Sequence, residues 1–323
     1  MLTYLLRRLA LALATTAAVV TITFALVHLA PGEPFVAGAE GRFVPPETVA
    51  RLRERFGLDR PLAAQFVRYA GNLAQGDLGE SFSRHRPVAD VLEEALPKTL
   101  LLGGVALVLS LLLGLGLGIV QAMRAGTWAD AALGTVALVF YSVPAFWLGL
   151  MLLLVFGEWL HWLPLTGMTD VALRAPAGAL RHALDVGRHL VLPAVTLALV
   201  NGAAVARFHR TAMLEALGAE FVRAARSRGL GEGRVVLRHA LRSALAPAIT
   251  LAGLSIPALL TGSVLVESVF GWPGMGRVAY EAIFARDYNV ITAVAVVAGV
   301  LVALGNLLAD LGVAAADPRV RHA

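Results

Sequence analysis

Residues 99–123 read TLLLGGVALVLSLLLGLGLGIVQAM and carry no charged side chain. A helix of this length rises about 37 Å, which exceeds the roughly 30 Å hydrocarbon thickness of a bilayer. Lipid offers no hydrogen-bonding groups to a free backbone, so an apolar run of this length is typical of a membrane-spanning α-helix. The stretch therefore predicts an integral membrane protein built from helices.

Five further apolar stretches repeat this pattern. The chain of 323 residues is 58% hydrophobic and 15% charged, with a mean hydropathy of +0.74, which is more apolar surface than a soluble core uses. None of the stretches carries a charge in its central part. We therefore predict an all-α membrane protein whose six transmembrane helices lie at about 9–30, 99–123, 131–157, 190–206, 243–266 and 290–309. The first is expected to be an uncleaved helix, because its apolar run is longer than that of a signal peptide.

The distribution of arginine predicts the orientation, since basic residues favour cytoplasmic loops. Residues 207–242 carry eight arginines and three glutamates, a net charge of +5, whereas residues 31–97 carry eight arginines and ten acids. Both termini and residues 207–242 are therefore expected in the cytoplasm. This clustering also explains the basic character of the chain without a nucleic-acid partner.

Three parts of the chain follow from this topology: an N-terminus with the first transmembrane helix (1–30), an extracytoplasmic segment (31–97) and a transmembrane core (98–323) with a cytoplasmic loop at about 207–242. Within the external segment we predict short helices at 47–56 and 62–73. A second external loop is expected between the third and fourth spans.

The sequence offers no signature of an enzyme. Cysteine is absent, which excludes thiolate metal sites and cysteine nucleophiles, and neither G-x-S-x-G nor H-E-x-x-H occurs. The only lysine, Lys98, follows Pro97, so the chain lacks the Gly-Lys pair of a phosphate-binding loop. No ionisable residue lies near the middle of a span, which argues against ion-coupled transport. We expect no catalytic residue, metal site or cofactor in this chain.

A basic amphipathic segment between the fourth and fifth spans reads EFVRAARSRGL at residues 220–230. Five apolar side chains share one face of this predicted helix: Leu217, Phe221, Val222, Ala224 and Ala225. Gly229 suits the left-handed turn that ends a helix. Such a helix would dock into the groove of a partner protein, or would lie on anionic lipid as an interfacial helix. The residue pattern alone leaves both alternatives open.

This segment resembles the EAA loop of ABC importer permeases, in the form found in the dipeptide/oligopeptide/nickel permease family. That form has an acid, an aromatic residue and Val-Arg-x-Ala-Arg-x-x-Gly-Leu, followed by an arginine-rich stretch and a proline. The matching positions here are Glu220, Phe221, Val222, Arg223, Ala225, Arg226, Gly229, Leu230, Arg238, Arg242 and Pro247. Arg223 stands where the general motif has glutamate, as is usual in this family.

Further motifs of the family follow in the same order along the whole chain. They are PGEP (31–34), GLDRP (57–61), GDLG (76–79), LPKTL (96–100), SVPAFWLG (142–149), WLP (162–164), FGWPGMG (270–276), ARDY (285–288) and DPRVR (317–321). Each is weak alone, but their order and spacing resemble the first-permease type, which carries the long external segment.

The resemblance implies the fold of a type I ABC importer permease in a bacterial inner membrane, forming half of a pore for di- or oligopeptides. Its implied partners are a second homologous permease, two ATPases that bind ATP and Mg, and an extracytoplasmic binding protein. The implied ATPase-coupling residues are Glu220, Phe221, Arg223, Ala224, Ala225, Gly229 and Leu230. Nickel chelates or oligosaccharides are alternative substrates within the family. An ion-coupled carrier acting alone is the alternative outside it.

Eight positions in spans three to five are candidates to line the pore: Ser142, Pro144, Phe146, Thr196, Asn201, Pro257, Thr261 and Ser263. Ordinary helix packing and kinking is the alternative for each of them. Gly114 and Gly118 have the GxxxG spacing that lets helices approach closely in lipid. We expect that approach within this subunit, with a contact between subunits as the alternative.

Overall fold

The computed structural model describes residues 2–29, 45–170, 178–245 and 263–316. Within these ranges the chain is helical apart from turns and one isolated antiparallel bridge between Glu80 and Pro87. In chain order the helices are α1 (Leu2–Leu29), α2 (Pro46–Phe56), α3 (Leu62–Ala74), α4 (Val88–Met123), α5 (Trp128–Ser142), α6 (Ala145–Leu152), α7 (Ala179–Gly218), α8 (Glu220–Ser227), α9 (Glu232–Arg234), α10 (Met275–Ala285) and α11 (Tyr288–Ala316). Two π-helical segments, Leu153–Trp159 and Val235–Ala240, directly follow α6 and α9.

Three of the described helices are long and apolar enough to cross a membrane: α4, α7 and residues Tyr288–Leu307 of α11. A fourth crossing arises if α5 and α6 form one broken span, and α1 contains the shorter apolar stretch Leu13–Leu29. These segments coincide with predicted spans one, two, three, four and six. The predicted fifth span lies mostly outside the described residues, so the total of six stays a prediction.

The third predicted span is not a continuous helix, and this part of the prediction is wrong. Helices α5 and α6 meet at an angle of 104°. Pro144 precedes α6, and Val143 before it is extended at φ −80° and ψ 132°. Proline disfavours the helical conformation of the residue before it and donates no backbone hydrogen bond, so Pro144 breaks the span at this point.

Helix α7 is longer than the predicted fourth span and runs for 40 residues, with Pro193 inside it. The external loop expected before this span is therefore helical from Ala179 onward. Polar residues in this part of the helix obscured its periodicity in the sequence. Two of them are buried, Asp185 and His189, and the His189 ring contacts the Asp185 backbone carbonyl at 2.9 Å.

The two short helices predicted at 47–56 and 62–73 are confirmed, because α2 and α3 begin and end within one residue of these limits. Gly57 ends α2 in the left-handed conformation at φ 71°, and its N–H donates to the carbonyls of Arg53 and Glu54. A side chain at this position would be strained, which explains the glycine.

The described residues belong to two compact units. The first comprises residues 1–99 and 273–303, and the second comprises residues 100–272 and 304–323. The predicted core 98–323 thus contributes to both units. In the first unit, one face of α4 packs against α10 and the start of α11 through an apolar cluster of Val88, Val91, Leu92, Ala95, Met275, Val278, Ala282, Val290 and Ala293.

In the first unit, a buried carboxylate ties the loop before α4 to the start of α11. The Asp287 carboxylate accepts hydrogen bonds from the Ser81 hydroxyl at 2.5 Å and from the Ser83 hydroxyl and amide at 2.8 and 2.9 Å. Asp287 is fully buried, so these three donors compensate the cost of removing its charge from water. The loop is consequently fixed in place.

In the second unit, α4 and α7 approach so closely that only glycine fits between them. A β-carbon on Gly114 would lie 2.5 Å from the Val205 side chain, and one on Gly118 would lie 3.0 Å from the Ala206 carbonyl. The expected close packing within the subunit is confirmed. Gly202 on α7 contributes reciprocally, since its β-carbon would lie 3.2 Å from the Ser110 carbonyl.

Candidate functional site

The basic segment forms a separate short helix at the end of α7. Helix α7 ends at Gly218, and Ala219 is extended at φ −72° and ψ 153°, which redirects the chain into α8. Glu220 lies in the first turn, where the helix dipole favours a negative charge. Gly229 follows at φ 74° and turns the chain back, as the sequence indicated.

Helix α8 is anchored to the subunit by an apolar cluster beneath it. Val222 is completely buried and Ala225 is 5% exposed. They pack with buried residues from α4, α7 and the segment that follows α9: Ala122, Met213, Ala216, Val235, Val236, Ala240 and Ala244. Helix α8 is thus part of a continuous core and is held in a fixed position relative to α7.

The outward face of α8 differs from the apolar face that the sequence suggested. Phe221 is 46% exposed, and Glu220, Arg223, Ala224 and Gly229 are also exposed. Val222 and Ala225 point into the core, although the sequence assigned both to the same apolar face as Phe221 and Ala224. Leu230 is half-buried beside the same core. The helix therefore presents one aromatic ring and one small residue among charged side chains.

An exposed ion pair closes the loop between α8 and α9. The Arg226 Nε and Nη2 groups donate to the two Glu232 carboxylate oxygens at 3.2 and 2.6 Å. Arg226 thereby lowers the pKa of the Glu232 carboxyl below its ordinary value. Inside the loop, the Gly229 amide donates to the Arg226 carbonyl at 2.9 Å and the Leu230 amide donates to the Ala225 carbonyl at 3.4 Å.

A second ion pair, which sequence reasoning missed, joins α5 to α7. The Arg210 Nε and Nη2 groups donate to the Asp130 carboxylate at 2.8 and 2.7 Å, and the Gly126 amide donates to the same carboxylate at 3.2 Å. The Asp130 side chain is only 9% exposed. The signal in the sequence was an acid at the start of an otherwise apolar helix, facing an arginine-rich loop.

The candidate pore residues separate into exposed and buried positions. Ser142, Pro144 and Phe146 are exposed at the bend between α5 and α6. Thr196 and Ser263 are buried within the chain, which favours the packing alternative for these two. Asn201 is half-buried and its amide donates to the Leu197 carbonyl at 2.8 Å. Pro257 and Thr261 lie outside the described residues.

The arrangement around α8 suits protein docking better than chemistry. Within the described ranges, no group of three or more histidine, aspartate and glutamate side chains is placed to hold a metal ion. The exposed groups of α8 are those of a recognition surface: an aromatic ring, a small residue and arginines on a rigidly held helix.

Comparison with known protein families gives two adjacent matches. Residues 1–103 match the family described as binding-protein-dependent transport system membrane component, N-terminal. Residues 114–322 match the family described as binding-protein-dependent transport system inner membrane component.

Relatives with assigned names align with the whole chain. The di/tripeptide transport system permease protein DppB of Pseudomonas aeruginosa strain UCBPP-PA14 is 40% identical over 337 residues, covering 100% of this chain and 99% of the relative. The dipeptide transport system permease protein DppB of Escherichia coli K12 is 35% identical, with the same coverage of each chain. The oligopeptide transport system permease protein AppB of Bacillus subtilis strain 168 is 34% identical, with 99% of each chain covered.

A solved structure shares the fold. A chain from an inward-facing structure of the MetNI methionine ABC transporter superposes with a TM-score of 0.57 and 19% sequence identity. The superposition covers 70% of this chain and 96% of that chain. The two chains therefore share a helical fold over this part of the sequence.

Proposed function

Because the chain belongs to the family of binding-protein-dependent transport system inner membrane components, we propose that it is a permease subunit of an ATP-driven importer of di- or oligopeptides. The observation that carries this proposal is the 34–40% identity, along the whole chain, to permeases named for dipeptide, di/tripeptide and oligopeptide transport. A permease named for glutathione transport, at 36% identity over the whole chain, fits the same class of substrate, because glutathione is itself a tripeptide.

The proposed assembly contains a second homologous permease, two ATPase subunits and an extracytoplasmic binding protein. This chain would supply six membrane spans, both termini on the cytoplasmic side, an external segment at 31–97 and half of the pore. ATP and Mg would bind to the ATPase subunits, because the sole lysine of this chain, Lys98, is not part of a phosphate-binding loop.

Helix α8 would be the element that couples this subunit to an ATPase. Its apolar side is already filled by the core of the subunit, and Phe221 remains its one large exposed apolar side chain within the described residues. An interfacial helix would instead turn its apolar side toward lipid. The burial of Val222 and Ala225 therefore supports docking to a protein over attachment to lipid.

Rigid attachment also supports a role in coupling. A helix that moves with α7 can transmit closure of the ATPases to the membrane spans, since distant coupling needs an element with two arrangements that both sites bias. Of the seven residues that the resemblance implies, five are exposed and would contact the ATPase: Glu220, Phe221, Arg223, Ala224 and Gly229. Ala225 and Leu230 would support the helix from behind.

The experiment compares Ala224→Glu with Thr211→Glu, an exposed position on α7 that gains the same charge. A charge forced into a packed contact is costly, so Ala224→Glu should still copurify with the partner permease but lose the ATPases, or retain them without transport. Thr211→Glu should retain both. Copurification and uptake of labelled dipeptide and tripeptide are measured in cells that lack the chromosomal copy.

Each outcome separates the alternatives. Normal ATPase recovery together with normal uptake in Ala224→Glu would exclude α8 as the coupling element. Uptake of nickel chelates or oligosaccharides, with no peptide uptake, would show that peptides are not the substrate, and the assignment to the permease family would still hold. Transport by the purified chain alone would indicate an independent carrier and would overturn the proposal.

A further inference from the structure

A cavity of about 260 Å³ in the first unit is lined by six charged side chains. Four are basic and two are acidic: Arg84, Arg86, Lys98, Arg277, Glu94 and Glu281. They come from the loop before α4, from the first turns of α4 and from α10. The rest of the wall is formed by Val91, Ala95, Pro273, Gly274 and Val278. The function proposed above does not involve this cavity.

The charges of the cavity do not balance. Arg86 donates to both carboxylate oxygens of Glu94 at 2.9 and 2.7 Å. Arg84 and Arg277 share the second acid, Glu281, at 2.7 and 2.8 Å. Four basic and two acidic groups leave a net charge of +2 on the lining. The cavity therefore attracts an anion.

The cavity adjoins the start of the apolar run of α4, a helix that is long and apolar enough to cross a membrane. Lys98 immediately precedes the apolar run that begins at Thr99. The Thr99 hydroxyl accepts a hydrogen bond from the Met275 amide at 2.7 Å. This bond holds the first residue of α10 beside the start of the apolar run. A lysine at the end of an apolar span lies at the depth of the lipid headgroups.

Helix α10 carries an exposed apolar face in addition to its charged one. Tyr280, Ile283 and Phe284 are 41%, 58% and 66% exposed, and the rings of Tyr280 and Phe284 lie 4.8 Å apart. The helix has 11 residues and rises about 16 Å, too short to cross a bilayer. Exposed aromatic residues on a short amphipathic helix are typical of the membrane interface.

We propose that this cavity binds the phosphate of an anionic phospholipid, whose acyl chains lie against the exposed face of α10. The excess of two positive charges accounts for selection of an anionic headgroup. The neighbouring aromatic face accounts for selection of a lipid, because a soluble phosphate ion would gain nothing from Tyr280, Ile283 and Phe284. Both features occur on one short helix, which connects the headgroup site to the apolar surface.

The test uses the full-length permease purified in an uncharged detergent. Phosphatidylglycerol, and phosphatidylcholine with the same acyl chains, are added in turn, and retained lipids are counted by native mass spectrometry. The unmodified protein should retain phosphatidylglycerol in preference to phosphatidylcholine. The double variant Lys98→Gln, Arg277→Gln removes the excess charge and should weaken retention more than tenfold, given roughly fivefold for each basic residue at a membrane surface.

Two controls make the result specific. The double variant Arg181→Gln, Arg188→Gln removes the same charge from exposed positions of α7 and should retain phosphatidylglycerol normally. Glu281→Gln raises the charge of the lining by one and should strengthen retention. Equal retention of the two lipids, or equal loss in both double variants, would overturn the proposal.

Two further outcomes would also overturn it by identifying another occupant. Displacement of the lipid by millimolar inorganic phosphate would indicate a site for a free ion. Loss of the extracytoplasmic binding protein from the cavity variant, with unchanged phosphatidylglycerol retention, would indicate a docking site for a protein. None of these measurements depends on peptide transport, so they are separate from the test of the proposed function.

Discussion

Asp130 holds Arg210 at a point ten residues before α8 begins. The pair connects the first turn of α5 to the part of α7 that leads into α8. Two parallel hydrogen bonds between a guanidinium and a carboxylate fix the relative orientation of the two side chains as well as the distance between them. Any movement of α8 with α7 is therefore shared with α5, which leads to the bend at Pro144.

Asp130→Asn should lower the unfolding temperature and reduce transport, because Arg210 would lose its charged partner at a site where the carboxylate is shielded from water. The exchange Asp130→Arg, Arg210→Asp should recover part of the stability. Glu232→Gln, which breaks an exposed pair on the same side of the protein, serves as the control and should change the unfolding temperature little. Thermal unfolding in detergent measures all three variants. Equal effects of Asp130→Asn and Glu232→Gln would contradict the structural role of the pair.

Gly114→Ala should destabilise the protein, because the added methyl group meets Val205 at 2.5 Å. Overpacking of this kind costs about 1–3 kcal/mol. Gly116→Ala is the matched control, since a β-carbon there has no neighbour within 4 Å. Alanine inside a helix is favoured over glycine, so the control should be neutral or stabilising by up to about 1 kcal/mol. The free energy of unfolding in mixed micelles distinguishes the two variants. A similar decrease of this free energy in both would refute the packing of α4 on α7.

Acidification should open the loop between α8 and α9. Arg226 lowers the pKa of Glu232 in the folded protein, so the pair stabilises the loop above the unfolded pKa, and this contribution is lost as the pH falls through the folded pKa. The amide protection factors of Gly229 and Leu230 should therefore fall between about pH 6 and pH 3. Glu232→Gln should show low protection throughout this range. A pH dependence that persists in this variant would assign the effect to another group.

Cysteine labelling tests the orientation of the chain, which contains no native cysteine. Gly231→Cys and Gly71→Cys are suitable positions, because neither glycine has a positive φ and a β-carbon at either has open space. An impermeant maleimide should label Gly71→Cys from outside intact spheroplasts. Gly231→Cys should react only after the membrane is permeabilised. Reversed accessibility would place α8 outside and would remove the basis for its coupling role.

The features that the sequence predicted well are those with a local cause. Pro46 near the start of α2 and Gly57 after its end limit the helix independently of the rest of the fold. The spacing of Gly114 and Gly118 likewise indicated close packing before their neighbour was known. Long uncharged runs predicted the helices α4 and α11 because lipid requires continuous helical hydrogen bonding.

Features that depend on tertiary packing were not predictable in the same way. Ala224 and Ala225 are chemically identical neighbours, and the apolar cluster beneath α8, which includes Met213 and Val235, decides that Ala225 is the buried one. The Asp130–Arg210 pair spans 80 residues of sequence. The break at Pro144 was hidden because the residues on both sides of it are equally apolar, and proline is tolerated inside α4 and α7.

The separation of buried and exposed side chains on α8 has a consequence for how the sequences of related permeases diverge. The side chains that hold the helix in the core and those that are exposed alternate within eight residues, and the two sets do not overlap. Substitutions at Phe221 and Ala224 can therefore accumulate without unfolding the permease. On the proposed coupling role of α8, a duplicated transporter could change its choice of ATPase through exposed positions such as these two, and an engineer could use the same positions to build pairs that do not exchange subunits with their parents.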